Sequence, residues 1–148
     1  MERSPEQVVR EHHDCLNRGD PVGAAEFYAD EAINQGGRVS RERMLVVLGS
    51  SREAFPDFHL EIVELIAVGE VVALRATVTG THLGVPTFPL MFGGILADVE
   101  PTGKRCEFVL HHWYRVRDGK IIEHWAVRDD LSVARQLGLL PQGLQREE

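Results

Sequence analysis

The residues most able to do chemistry in this chain stand near its end, in DGKIIEHWAVRDDLSVARQLGLLP, residues 118–141, where Asp129 and Asp130 sit at the passage from a strand to a helix. A carboxylate there is either a general base or a helix cap. Asp118-Gly119 has the chemistry of a two-residue hairpin turn. The runs on either side, Phe108 to Val116 and Lys120 to Asp129, are rich in β-branched and aromatic residues, so they are read as paired antiparallel strands. With Arg117 opposite Lys120, strict alternation places Phe108, Leu110, His112, Tyr114 and Val116 on one face with Ile121, Glu123, Trp125, Val127 and Asp129.

That face resembles the wall of a small-molecule pocket, apolar with a few polar groups. On it, Asp129 is the candidate catalytic acid/base, tuned upward by desolvation beside Trp125, Val127 and Phe108. His112 is the second candidate, flanking a ligand from roughly 13 Å away at about 3.3 Å per residue. His82, Trp125, Tyr114, His13 and Phe108 are the candidate substrate-binding residues. His13 joins them because it shares a helical face with Val9 and Leu16. Asp130, of opposite parity, is assigned to capping, Glu123 to the rim, and Arg128 to the face away from Asp129. The doublets His12-His13 and His111-His112 diverge in direction, so no metal site is expected.

The elements that must position these groups are legible upstream. Ser4-Pro5-Glu6-Gln7 reads as a capped helix start, and Gly19-Asp20-Pro21 ends that helix and opens a second, running to about Tyr28. A third helix is expected from Ser40 to Phe55, stopped by Pro56. Phe58 to Val68 and Glu70 to His82 read as two more antiparallel strands. Residues 83–103, rich in Gly and Pro around Phe88, Leu90, Met91, Phe92, Ile95 and Leu96, read as an inserted loop or lid. The whole chain, 1–148, is read as a single α+β domain. Its N-terminal helices would pack on a highly curved antiparallel sheet, leaving a conical cavity.

Composition narrows the class. The chain has 148 residues, 43% hydrophobic and 26% charged, with a net charge of −7, values of an ordinary globular domain that disfavour nucleic acid and anionic membranes as partners. Cys15 and Cys106 give neither a disulfide framework nor ligand spacing, and the N-terminus lacks a signal-peptide core, so a cytoplasmic protein with reduced thiols is expected.

Asn17-Arg18-Gly19-Asp20, Ala54-Phe55-Pro56-Asp57, Gly80-Thr81-His82-x-Gly84, Pro101-Thr102-Gly103-Lys104, Asp118-Gly119-Lys120-Ile121-x-Glu123-His124-Trp125 and Gln136-Leu137-Gly138 follow one another over nearly the whole sequence. Together they resemble the SnoaL-like polyketide cyclases of the superfamily that includes ketosteroid isomerase and nuclear transport factor 2. The resemblance implies a cone-shaped fold and a cofactor-free intramolecular aldol cyclisation of a carbonyl-bearing polyketide. It also implies that the closing aspartate, here Asp129, is the acid/base. The chain departs from the usual pattern at His12 and His13, where aromatic residues are commoner, near Asn34, where a histidine is commoner, and in the length of 83–103.

The alternatives are an isomerase, dehydratase or epoxide hydrolase in the same pocket, or a non-catalytic ligand-binding or dimerisation module. Tyr114 is the inward tyrosine whose relation to Asp129 separates them. A sheet face bearing His111, Trp113 and Arg115 points to a homodimer.

Overall fold

The structure, a computed structural model, describes residues 2–87 and 94–144. Helix α1 (Pro5–Asn17) begins as its sequence dictates. Ser4 accepts from Gln7 N and Gln7 reaches back to Ser4 N, a reciprocal cap that satisfies two otherwise orphaned amides. After the short α2 (Pro21–Ala25) come two strands that the sequence reading does not anticipate, β1 (Tyr28–Asn34) and β2 (Gly37–Ser40). Ser40 then caps α3 (Arg41–Ala54), and β3 (His59–Val68), β4 (Val71–Thr81), β5 (Arg105–Arg117) and β6 (Lys120–Arg128) complete the sheet before α4 (Asp130–Gln136).

The strand order is β2-β1-β6-β5-β4-β3. The α+β architecture and curved sheet agree with expectation, with one correction: β1 runs parallel to β6, so the sheet is mixed. A parallel partner needs a crossover, and here most of the domain lies between the two strands. Helices α1 and α3 cover one face of the sheet. The core there joins Val8 and Val9 of α1, Met44 and Val47 of α3, and Val72, Leu74, Phe108, Leu110 and Tyr114 of the sheet.

Two side chains pin the helices to the sheet. Asn17 donates to the Leu60 carbonyl at 2.8 Å and accepts from Leu60 N at 2.8 Å, standing in for a missing strand neighbour. Arg52 spends its guanidinium on the carbonyls of Leu16, Asn17, Pro56 and Phe58, tying the end of α3 to the end of α1.

The hairpin contains the second correction. Asp118 and Gly119 both have positive φ, as the two-residue turn requires, and Arg117 faces Lys120 as expected. Val116 pairs with Ile121, but Arg115 then pairs with Glu123, leaving Ile122 as an extra residue. A one-residue bulge reverses the facing of everything beyond it. His124, Ala126 and Arg128 therefore join Tyr114, His112 and Leu110 on the inner face, while Trp125, Val127 and Asp129 turn outward.

Of residues 83–103, the stretch 88–93, with Phe88, Leu90, Met91 and Phe92, lies outside the described residues. The remainder returns Leu96 to the core, fully buried. The segment leaves the sheet through a tight approach. Leu83 N and Gly84 N both donate to the Ala54 carbonyl, and a Cβ on Gly84 would collide with the Glu53 carbonyl oxygen. Gly84→Ala should therefore destabilise the fold by about 1–3 kcal/mol. Gly49→Ala, in mid-α3 with open space around the added methyl, should stabilise it by about 0.5–1 kcal/mol. Urea denaturation of the two variants checks the opposite signs.

Candidate active site

Between α1, α3 and the inner face of the sheet lies a cavity of about 580 Å³. Much of its wall is apolar, formed by residues such as Leu16, Met44, Val47, Phe58, Leu60, Phe108 and Leu110. One end is polar, with His12, His13, Asn34, His112, Tyr114, His124 and Arg128.

These polar groups form a connected chain. β1 places Asn34 directly beside His124, and Gln35 holds that junction by bonding both N and O of Ala126 as if it were another strand residue. Asn34 Oδ1 lies 2.7 Å from His124 Nδ1, and His124 Nε2 lies 2.7 Å from His112 Nδ1. The amide oxygen only accepts, so His124 carries its proton on Nδ1 and accepts at Nε2. His112 must then donate from Nδ1, which leaves its Nε2 as a bare lone pair. That Nε2 is buried and has no hydrogen-bond partner.

On its other side His112 Nδ1 lies 3.4 Å from Tyr114 Oη, and Tyr114 Oη lies 2.8 Å from His13 Nε2. Because His112 Nδ1 already carries a proton, the Tyr114 hydroxyl cannot donate to it and donates to His13, whose own proton sits on the unpartnered Nδ1. His12 stands beside this chain with Nδ1 donating to the Ala24 carbonyl at 2.9 Å, its ring 5.1 Å from that of His13.

Burial keeps all four imidazoles neutral. Desolvation, only partly offset by the Ala24 carbonyl, lowers His12 to about 4. Desolvation, with His12 and Arg128 nearby, lowers His124 to about 3. His13 and His112 are held well below the ordinary imidazole range by desolvation and by each other's neighbours. Burial also pushes the Tyr114 phenol upward. Among the described residues no group of acids, histidines or cysteines is arranged to hold a metal ion.

Arg128 is the cation at the polar end. Its Nε and Nη2 reach the two carboxylate oxygens of Asp130 at 3.1 and 3.4 Å, so the guanidinium is oriented while it lines the cavity. The other lining cation, Arg52, is committed to backbone carbonyls.

Four sequence candidates meet here: His112, Tyr114, His13 and Phe108. Three do not. Asp129 is exposed on the outer side, its carboxylate accepting from Ser132 N as the cap of α4. It has the capping role expected of Asp130, and it stands across the sheet from Tyr114. Trp125, also turned outward by the bulge, is 43% exposed and donates to Glu123 at 2.9 Å. His82 is fully buried off the cavity, where its Nδ1 accepts from Thr102 N at 3.1 Å and joins the two ends of the 83–103 segment. His124, Arg128, Asn34 and His12 are the site residues missed. The first two required the bulge, and Asn34 lies on a strand with no strong pattern.

The comparisons agree with the fold. The profile of the SnoaL-like polyketide cyclases matches residues 6–137, and the chain belongs to that family. AclR from Streptomyces galilaeus, described as a proposed hydroxylase, is 33% identical, with 93% of this chain and 97% of that one aligned and a TM-score of 0.74. IdmH from Streptomyces antibioticus, a proposed polyketide cyclase, is 28% identical over 92% of this chain and 99% of that one, with a TM-score of 0.73. A SnoaL-like protein from Agrobacterium tumefaciens, at 22% identity, 92% and 99% coverage and a TM-score of 0.75, shares the fold. No curated protein sequence matches the chain. Among the described residues no helix is long and apolar enough to cross a membrane.

The neutral cluster has a stability consequence. His12 binds a proton in the unfolded chain below pH about 6.5 but in the folded one only near 4, so its contribution is fully present above 6.5 and is lost as pH falls toward 4. The loss from this residue is roughly 3 kcal/mol. Denaturation curves collected from pH 7 to 4 should show that His12→Asn flattens this acid dependence by close to one proton.

Proposed function

We propose that the cavity receives an apolar polyketide-type carbonyl compound and that His112 Nε2 removes a proton from the carbon next to its carbonyl, as intramolecular aldol closure requires. The observation that carries this reading is the hydrogen-bond chain from Asn34 through His124, which leaves a bare, buried nitrogen on an imidazole that lines a pocket whose single lining carboxylate, among the described residues, is Glu53. Glu53 is exposed and engaged by Thr87. The C–H proton passes to Nε2, the enolate carbon bonds to the second carbonyl, and the new alkoxide takes the proton back.

A nitrogen of low basicity needs help in the first half, and Arg128 is suited to give it by facing the enolate oxygen in a poorly solvated site. In the second half the same low basicity makes the imidazolium a strong proton donor. Family membership supports the reading, and so does the likeness to IdmH. The AclR likeness favours a second one, hydroxylation of a compound held in the same cavity with dioxygen as the oxidant.

The test uses 2-tetralone, an apolar ketone with acidic C–H bonds, and follows its exchange with D2O by NMR. His112→Gln should slow catalysed exchange by about 10²–10⁴-fold, the usual contribution of a positioned base, while Asp129→Asn leaves it unchanged. Loss of exchange in Asp129→Asn with full rate in His112→Gln would overturn the assignment.

A homodimer through the outer sheet face is the second part of the proposal. Trp113 pairs with Trp125 across the strands, and both stand nearly half exposed beside Val109, Val127 and Ile66. Apolar exposure on that scale suits a self-complementary contact. Trp113→Glu should move the protein to the monomer position on gel filtration; an unmoved peak argues against this face.

A further inference from the structure

We propose that His13 is a proton-relay residue that connects His112, by way of Tyr114 Oη, to solvent in a depression on the far side of α1. The inference rests on His112 being the base and concerns where its proton goes. His13 lines the central cavity and also a second depression, formed with Arg10, Asp14, Asn17, His59 and Glu61 between α1 and β3. Leu60 also lines both, but of the two only His13 has a group that can carry a proton, and two contacts, at 2.8 and 3.4 Å, join it to His112 through a single hydroxyl.

The opposite branch of the chain ends at Asn34, whose amide oxygen is too weak a base to take a proton onward. A proton arriving on His112 therefore has one productive exit. As Nε2 gains the substrate proton, the Nδ1 proton leaves its bond to His124 and moves to Tyr114 Oη, the Tyr114 proton moves to His13 Nε2, and the His13 Nδ1 proton, buried and unpartnered at rest, leaves toward the depression when water enters beside it. There Asp14, His59 and Glu61 are exposed and able to accept it. His112, Tyr114 and His13 each gain one proton and lose one, so no net charge stays in the buried cluster and both imidazoles change tautomer. Passage in the reverse direction returns a proton to the alkoxide and resets every tautomer. Desolvation makes a lasting imidazolium costly at His112, and a concerted transfer avoids it.

Tyr114 and His13 act through His112, so their test needs a readout that packing alone does not move. With α-deuterated 2-tetralone in H2O, Tyr114→Phe and His13→Gln should each slow deuterium loss at least tenfold with unchanged Kd for the ketone. Tyr114→Phe preserves the ring, and an unchanged melting temperature separates a lost relay from a lost fold. His13→Ala should regain rate in proportion to added imidazole at fixed pH, whereas His112→Gln should not. Full rates in both Tyr114→Phe and His13→Gln, with His112→Gln inactive, would overturn the relay and leave the base reading standing. A full rate in His112→Gln, or no acceleration by the unaltered protein, would remove the base reading itself.

Discussion

One extra residue in β6 decides what this cavity contains. Ile122 has no partner across the hairpin, and the strand beyond it is rotated by one side chain relative to strict alternation. Without that bulge the pocket would be lined by Glu123, Trp125, Val127 and Asp129. With it, the pocket receives His124, Ala126 and Arg128. The substitution is chemical as much as geometric: an acidic, aromatic wall becomes one of neutral imidazole and guanidinium. Arg115 and Glu123, paired at 3.2 Å on the outer face, help hold the shifted register.

The imidazole cluster depends on that register and on burial together. Four aromatic bases within ring distances of about 5–6 Å would repel if charged, so their neutrality is a condition of the packing as well as a result of it. Hydrogen bonds then orient each ring, and the core of α1 is filled by groups that are polar in composition but carry no charge. This is how His12 and His13 occupy fully buried positions on α1. They are used as rings first and as titratable groups second.

Much of the fold was legible because its signals are local. Ser4 and Gln7 cap α1, Ser40 opens α3, Pro56 closes it, and Asp118-Gly119 makes the hairpin turn. β1 and β2 were not legible, since YADEAIN and GRVS have no clean alternation and owe their strand state to pairing with β6 and with each other. The candidate site was half legible. Phe108, His112 and Tyr114 lie on β5, before the bulge, where parity counting works, His13 was placed by helical spacing on α1, and all four reach the cavity. Asp129 and Trp125 lie after it. The apolar pattern of β6 pointed the wrong way, because its Trp and Val face outward and its His and Arg face the pocket, an inversion that periodicity read as core. His82 lies at the end of β4, where its hydrogen bond to Thr102 serves the connection.

The anchor at Asn34 has a further meaning. A carboxamide presents an acceptor on one side and a donor on the other, and the two orientations differ by a half turn about one bond. With oxygen toward His124, His112 keeps a bare lone pair on its buried Nε2. With nitrogen there, each tautomer along the row would invert and His112 would show an N–H. The same scaffold thus holds two opposite polarities of recognition, one suited to taking a proton and the other to binding an oxyanion. The choice between them rests on Asn34, which does not lie on the strand that carries the chemistry.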